Sequence, residues 1–126
     1  MKNLRFIFGL AFLVPGVALA ATATLTVGGG AVNGDPKATQ ELTVTSGTNV
    51  PFTQFSMTLS KGVGIVATET GAGAVTPAVT VTTGHFNSPR VYAGSTAGGS
   101  VTECTTAKKT AGNGAVTAAT YSAGVC

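Results

Sequence analysis

The stretch TATLTV, residues 22–27, decides the fold class, because its side chains alternate strictly between hydroxylated and apolar. Ala23, Leu25 and Val27 fall on one side, and three threonines fall on the other. A period of two residues is typical of a β-strand with one buried face. Thr and Val are stiff at χ1 and pack well on a pleated surface. We therefore expect a strand whose apolar side faces a core.

The same alternation recurs along the chain, with turn-forming residues about every ten positions. After residue 20, no segment keeps the 3.6-residue period of an amphipathic helix. The sequence predicts an all-β fold, a small antiparallel β-sandwich or barrel of about seven to eight strands. The further predicted strands are ELTVTS (41–46), PFTQFSMTLS (51–60), GVGIVATE (62–69), AVTPAVTVTT (74–83), RVYAGS (90–95), SVTECT (100–105) and AVTAATYS (115–122).

Two segments between the predicted strands are rich in turn residues. GGGAVNGDPK (28–37) contains Asn-Gly and Asp-Pro, which favour turns, so we expect no strand in it. KKTAGNGA (108–115) is expected to be a hairpin loop, because Asn113-Gly114 can adopt positive φ. In the first half of AVTPAVTVTT, Pro77 favours an edge position.

Residues 1–20 have the pattern of a secretory signal peptide. Lys2 and Arg5 precede a short apolar run at 6–14, and small residues lead up to Ala20, where cleavage is expected. The apolar run is shorter than the about 20 residues that cross a bilayer. We therefore expect an exported chain without a membrane span, passing through the periplasm to an extracellular filament or the cell surface.

Removal of the leader leaves residues 21–126, which we expect to form a single β domain. This part of the chain keeps five Lys and Arg residues against four Asp and Glu, a net charge of +1. Binding a phosphate backbone requires a patch of several cations. Only Lys108 and Lys109 are adjacent, and we expect both to be solvated. Nucleic acid is therefore not an expected partner.

The chain has two cysteines, Cys104 and Cys126. In an exported chain, an even number of cysteines predicts a disulfide. This bond would stabilise the domain by roughly 3 kcal/mol and would hold the C-terminal segment in place. A zinc site normally takes three or four protein ligands, and the chain offers two Cys and one His. We expect no metal and no cofactor.

The segment TGHFNSPRVYAGST (83–96) holds the only His of the chain. A hydrolase would use His85 as base, a Ser or Thr as nucleophile and Asp35 to orient the base. The sequence has no GxSxG motif, and its four carboxylates are scattered. We therefore expect no enzymatic activity.

The alternation within the same segment predicts a contact surface instead. Val91 and Ala93 should face one way, and Arg90 and Tyr92 the other. Arg and Tyr are enriched at protein interfaces. Arg90 and Tyr92, together with His85 from the preceding turn, are the candidate assembly interface.

Three segments of the chain, at 55–69, 79–96 and 99–103, resemble the globular subunit of split type IV pilins. In that family, a short helical pilin and a separately encoded, secreted β-rich protein together form the pilus. The resemblance implies a secreted structural subunit of an extracellular filament, whose partners are other copies of itself and a short helical pilin. It implies no enzymatic activity and no cofactor. The matching positions are Leu59, Ser60, Lys61, Val63, Thr83, His85, Arg90, Tyr92, Gly94 and Ser95.

Two alternatives remain open. In a donor-strand fimbrial subunit, ATATLTVGGG (21–30) would complete the sheet of a neighbour through main-chain hydrogen bonds, rather than being the first strand of its own sheet. The chain could instead be a surface adhesin or a coat protein. A carbohydrate site is poorly supported, because the chain has no Trp and few aromatic residues to form a platform.

Overall fold

The computed structural model describes residues 20–69, 78–105, 107–121 and 125–126. They form an all-β fold with strands in two sheets, which confirms the predicted class and favours the sandwich. The expected signal peptide up to residue 19 and the first part of AVTPAVTVTT, with Pro77, lie outside the described residues. The strands are β1 (Ala21–Thr26), β2 (Gly30–Val32), β3 (Gln40–Thr45), β4 (Phe55–Leu59), β5 (Val63–Glu69), β6 (Val79–His85), β7 (Val91–Ser95) and β8 (Thr102–Glu103).

The two sheets differ in size. One has three strands in the order β1-β3-β4, and the other has five in the order β2-β5-β6-β7-β8. The pairs are antiparallel except for β1 with β3, which run parallel from Ala21 opposite Gln40 to Thr26 opposite Thr45. The expectation of a purely antiparallel sheet is therefore wrong at this pair. The chain leaves β1 for the other sheet, where it forms β2, and then returns along β3 in the original direction.

The main core lies between the two sheets. Leu25, Leu42 and Leu59 of the smaller sheet pack with Ile65 and Val79 of the larger one, and all five are buried. Along β1 and β3 the apolar members of the alternation point inward, as the sequence predicts. β5 is buried on both faces, because Ile65 packs between the sheets and Val66 packs in the second core cluster. The threonines of β1 lie on the solvent side.

The C-terminal segment covers the other face of the larger sheet. Val116 and Ala119 pack there with Val91 and the two half-cystines, forming a second core cluster. The prediction of a strand at 115–122 is wrong over its described residues, and so is the hairpin before it. The segment lies against the face of the sheet, and Ala119 donates its N–H to the Thr82 hydroxyl rather than to a neighbouring strand.

The disulfide predicted from the sequence is present. Cys104 and Cys126 are joined, with their Cα atoms 4.7 Å apart. Close to this bond, the N–H of Thr105 donates to the carbonyl of Cys126 at 3.0 Å. The bond thus fastens the end of the covering segment to the larger sheet, just after β8.

β2 lies in a segment that the sequence predicts to be a turn. Ala31 and Val32 pair with Val66 and Ile65 at the edge of the larger sheet. The strand has only three residues and follows a run of glycines, so its sequence pattern is too short to reveal it. The positive φ in the 108–115 loop falls at Gly112 rather than at Gly114.

Candidate functional site

The smaller sheet does not cover the whole inward face of the larger one. β1 lies over β2 and β5, at one end of the larger sheet. The core between the sheets contains residues of β1 to β6 and none of β7 or β8, so the inward face of these last two strands lies outside it. In the described part of the chain β4 pairs with β3 alone, so no described strand pairs with its other edge.

The inward side of β4 exposes two large apolar residues at this uncovered end. Phe55 lies opposite Val44 and Met57 lies opposite Leu42, so both point toward the core side of the sheet. Phe55 is nevertheless 50% exposed and Met57 41% exposed, whereas Leu59 on the same face is buried. Of the three apolar residues on this face of β4, only Leu59 reaches the core.

The inward side of the larger sheet exposes two more apolar residues at the same end. Tyr92 lies opposite Thr83 and is 39% exposed. Val101, just before β8, packs over Gly94 and is 73% exposed. We call Phe55, Met57, Tyr92 and Val101 the open flank. They are four of the five large apolar residues that the described chain leaves exposed.

Two hollows follow the inward face of β6 beside the open flank. One, of about 370 Å³, lies between the sheets and is lined by Val44, Phe52, Phe55 and Val79. The other, of about 250 Å³, lies over β7 and is lined by residues that include Val81, Thr83, Tyr92 and Val101. Apolar hollows of this kind accept the side chains of a partner strand or loop.

Glu69 positions the loop that lines the first hollow. Its carboxylate accepts hydrogen bonds from the backbone N–H of Asn49 at 3.1 Å, from that of Val50 at 3.2 Å and from the Asn49 amide at 3.0 Å. The loop then places Phe52 against Phe55, with ring centroids 5.9 Å apart. Sequence reasoning missed Glu69, because the pattern of a strand end does not show which loop lies beside it.

The three residues of the predicted assembly interface lie at the β6–β7 end of the larger sheet. Tyr92 belongs to the open flank. Arg90 forms an exposed ion pair with Glu103, Nη1 to Oε2 3.2 Å. His85 ends β6, and its Nδ1 accepts the backbone N–H of Asn87 at 3.2 Å. Among the described residues, no carboxylate is hydrogen-bonded to the His85 ring.

Lys109 is half-buried and hydrogen-bonded, rather than fully solvated as the sequence predicts. Its Nζ donates to the carbonyl oxygens of His85, Phe86, Ser88 and Thr110, at 3.0, 3.3, 3.2 and 3.4 Å. The ammonium group therefore fastens the turn after β6 to the C-terminal segment. Lys108 is exposed, as expected. A Lys in a Gly-bounded loop gives no sequence signal that separates these two roles.

The exposed side chains of the open flank are apolar, and exposed apolar clusters favour contact with another surface. In the described residues, no group of three or more His, Cys, Asp or Glu could hold a metal ion. Within the same ranges, no helix is long and apolar enough to cross a membrane. The molecule is thus defined as a disulfide-bonded β-sandwich with one uncovered apolar end. Comparisons with protein-family models, curated proteins and solved structures find no match for the chain.

Proposed function

We propose that this chain is a secreted structural subunit of an extracellular filament, and that it acts by protein–protein assembly rather than by catalysis. The open flank carries the proposal. Four large apolar side chains on the inward faces of the two sheets are exposed, and the hollows lined by Phe55 and by Tyr92 both reach β6. The outer edge of β4 pairs with no described strand. Apolar clusters and unpaired edges of this kind favour association.

A second copy of the chain is the partner that we propose for the open flank. Arg90 lies two residues before Tyr92 and Glu103 lies opposite it, and these two charged side chains form an ion pair with each other. Phe55 and Met57 lie in a strand without charged residues. Two copies can therefore approach without a strong electrostatic cost. The disulfide suits an oxidising, exported environment. The sequence resemblance to the globular subunit of split type IV pilins gives independent support.

Replacing the apolar side chains of the open flank tests this proposal. Met57→Ser combined with Tyr92→Ser should leave an exported, folded monomer and reduce the yield of filaments seen by electron microscopy at least tenfold. The residues are exposed, so the fold itself loses little. Arg90→Ser alone should have a smaller effect, because it leaves all four apolar side chains of the open flank in place and removes only one partner of an exposed ion pair.

The matched control is Thr58→Ser, on the opposite face of β4, which should give a normal filament yield. Filaments from the double variant at the parental yield would contradict the proposal. Only monomers of the parent protein in every exported fraction would also contradict it, and would favour the adhesin instead.

A further inference from the structure

We propose that neighbouring copies exchange β1, so that residues 21–27 of one copy lie beside β3 of the next. This inference rests on the proposed filament function and adds the contact that makes the filament durable. The structure shows what fits the site beside β3, because the chain's own β1 occupies it. Leu25 and Val27 are 2% and 4% exposed there. An identical strand from another copy would make the same contacts.

β1 is attached to its own domain in a way that permits exchange. In the described chain β1 is paired with β3 alone. None of its residues has a charged side chain, which would protect an exposed strand edge from pairing with another chain. Removal of the expected leader after Ala20 would make it the terminal strand. A terminal strand can be donated without threading the rest of the chain through a neighbour.

The link from β1 to β2 includes Gly28 and Gly29, β2 begins at Gly30, and packing does not require glycine at all three positions. Gly28 has φ +80° and needs its freedom. Gly30 has no positive φ, and a Cβ built on it meets nothing within 4 Å. A side chain would therefore fit at position 30. The conformational freedom of the run is what a hinge between two positions of β1 needs.

The open flank alone is small for a stable contact. If the full accessible surface area of a large apolar side chain is roughly 200 Å², the exposed areas of the four side chains sum to about 400 Å². Stable interfaces bury about 800 Å² per partner. An exchanged strand adds main-chain hydrogen bonds and the burial of Leu25 and Val27. The open flank also brings copies together, and linked partners reach effective concentrations on the order of millimolar, which makes exchange of β1 efficient.

Cysteine cross-linking of filaments tests the exchange. Thr24 of β1 lies opposite Thr43 of β3, and neighbouring strands are about 4.8 Å apart, within the range that a disulfide spans. Filaments of Thr24→Cys/Thr43→Cys should form this bond between copies. Non-reducing gels of the dissolved filaments should then show a ladder of dimers, trimers and larger species, with most of the protein above the monomer.

The control is Thr43→Cys/Ser56→Cys, a pair that joins β3 to β4 within one copy and should give monomers only. Thr22→Cys/Glu41→Cys is a second exchange pair, for use if the first variant fails to fold. Filaments that yield only cross-linked monomers from the exchange pairs would overturn the inference and leave the proposed function standing. A parent protein that forms no filaments would overturn both.

Discussion

At the scale of single residues, a few polar side chains hold segments that have no regular structure. The Glu69 carboxylate accepts three hydrogen bonds from the loop at 49–50. The Lys109 ammonium group donates hydrogen bonds to four carbonyl oxygens. Hydrogen bonds to charged groups are among the stronger ones in proteins. Glu69 therefore positions the loop that lies beside Phe55 of the open flank, and Lys109 joins the turn after β6 to the C-terminal segment, although neither residue belongs to the core.

The role of Lys109 gives a direct prediction at this scale. Lys109→Met keeps much of the apolar stem but removes the ammonium group, so the turn at 85–88 loses its link to the C-terminal segment. We expect the free energy of unfolding to fall by about 1–2 kcal/mol, measured by urea denaturation. Lys108→Met is the matched control and should change it by less than about 0.5 kcal/mol, because Lys108 is exposed. Equal effects of the two substitutions would contradict the assigned role.

At the scale of elements, the sequence predicted those strands whose alternation spans five residues or more. β1, β3 and β7 fall where period-two patterns occur, because each buries one face, whereas β5 is a short apolar run that is buried on both faces. The alternation of apolar and polar residues gives the wrong prediction in two segments. β2 is too short to show a period. Residues 115–121 alternate like a strand, yet they pack flat on a sheet, held by Val116 and Ala119.

The C-terminal segment also gives a prediction at this scale. It lacks a strand ladder, so its position depends on apolar contacts, a few hydrogen bonds and the disulfide. Cys126→Ser should lower the free energy of unfolding by about 2–4 kcal/mol, because the unfolded chain gains conformational entropy when the disulfide no longer closes a loop. Urea denaturation under non-reducing conditions measures this. In the parent protein, addition of a reductant should produce a similar loss. An unchanged transition midpoint would show that the segment stays in place without the bond.

At the scale of the whole molecule, the sequence predicted the all-β class and the disulfide but not the open flank. Phe55 and Met57 carry the pattern of core residues, and nothing in that pattern shows that their sheet ends at β4. The number of strands in each sheet depends on how distant segments pair, as in the parallel pairing of β1 with β3. The candidate site was therefore predicted in part, through Tyr92, while its other members follow from the unequal sheets.

The central claim, that copies associate through the open flank, is tested most directly by the oxidation rate of Met57. Met1 is the only other methionine in the sequence, and peptide mass spectrometry separates its oxidation from that of Met57. Peroxide converts an exposed methionine to its sulfoxide. Mass spectrometry should show Met57 oxidised at least fivefold more slowly in filaments than in the monomer. Equal rates in the two states would contradict the claim, because they would mean that the flank stays open to solvent after assembly.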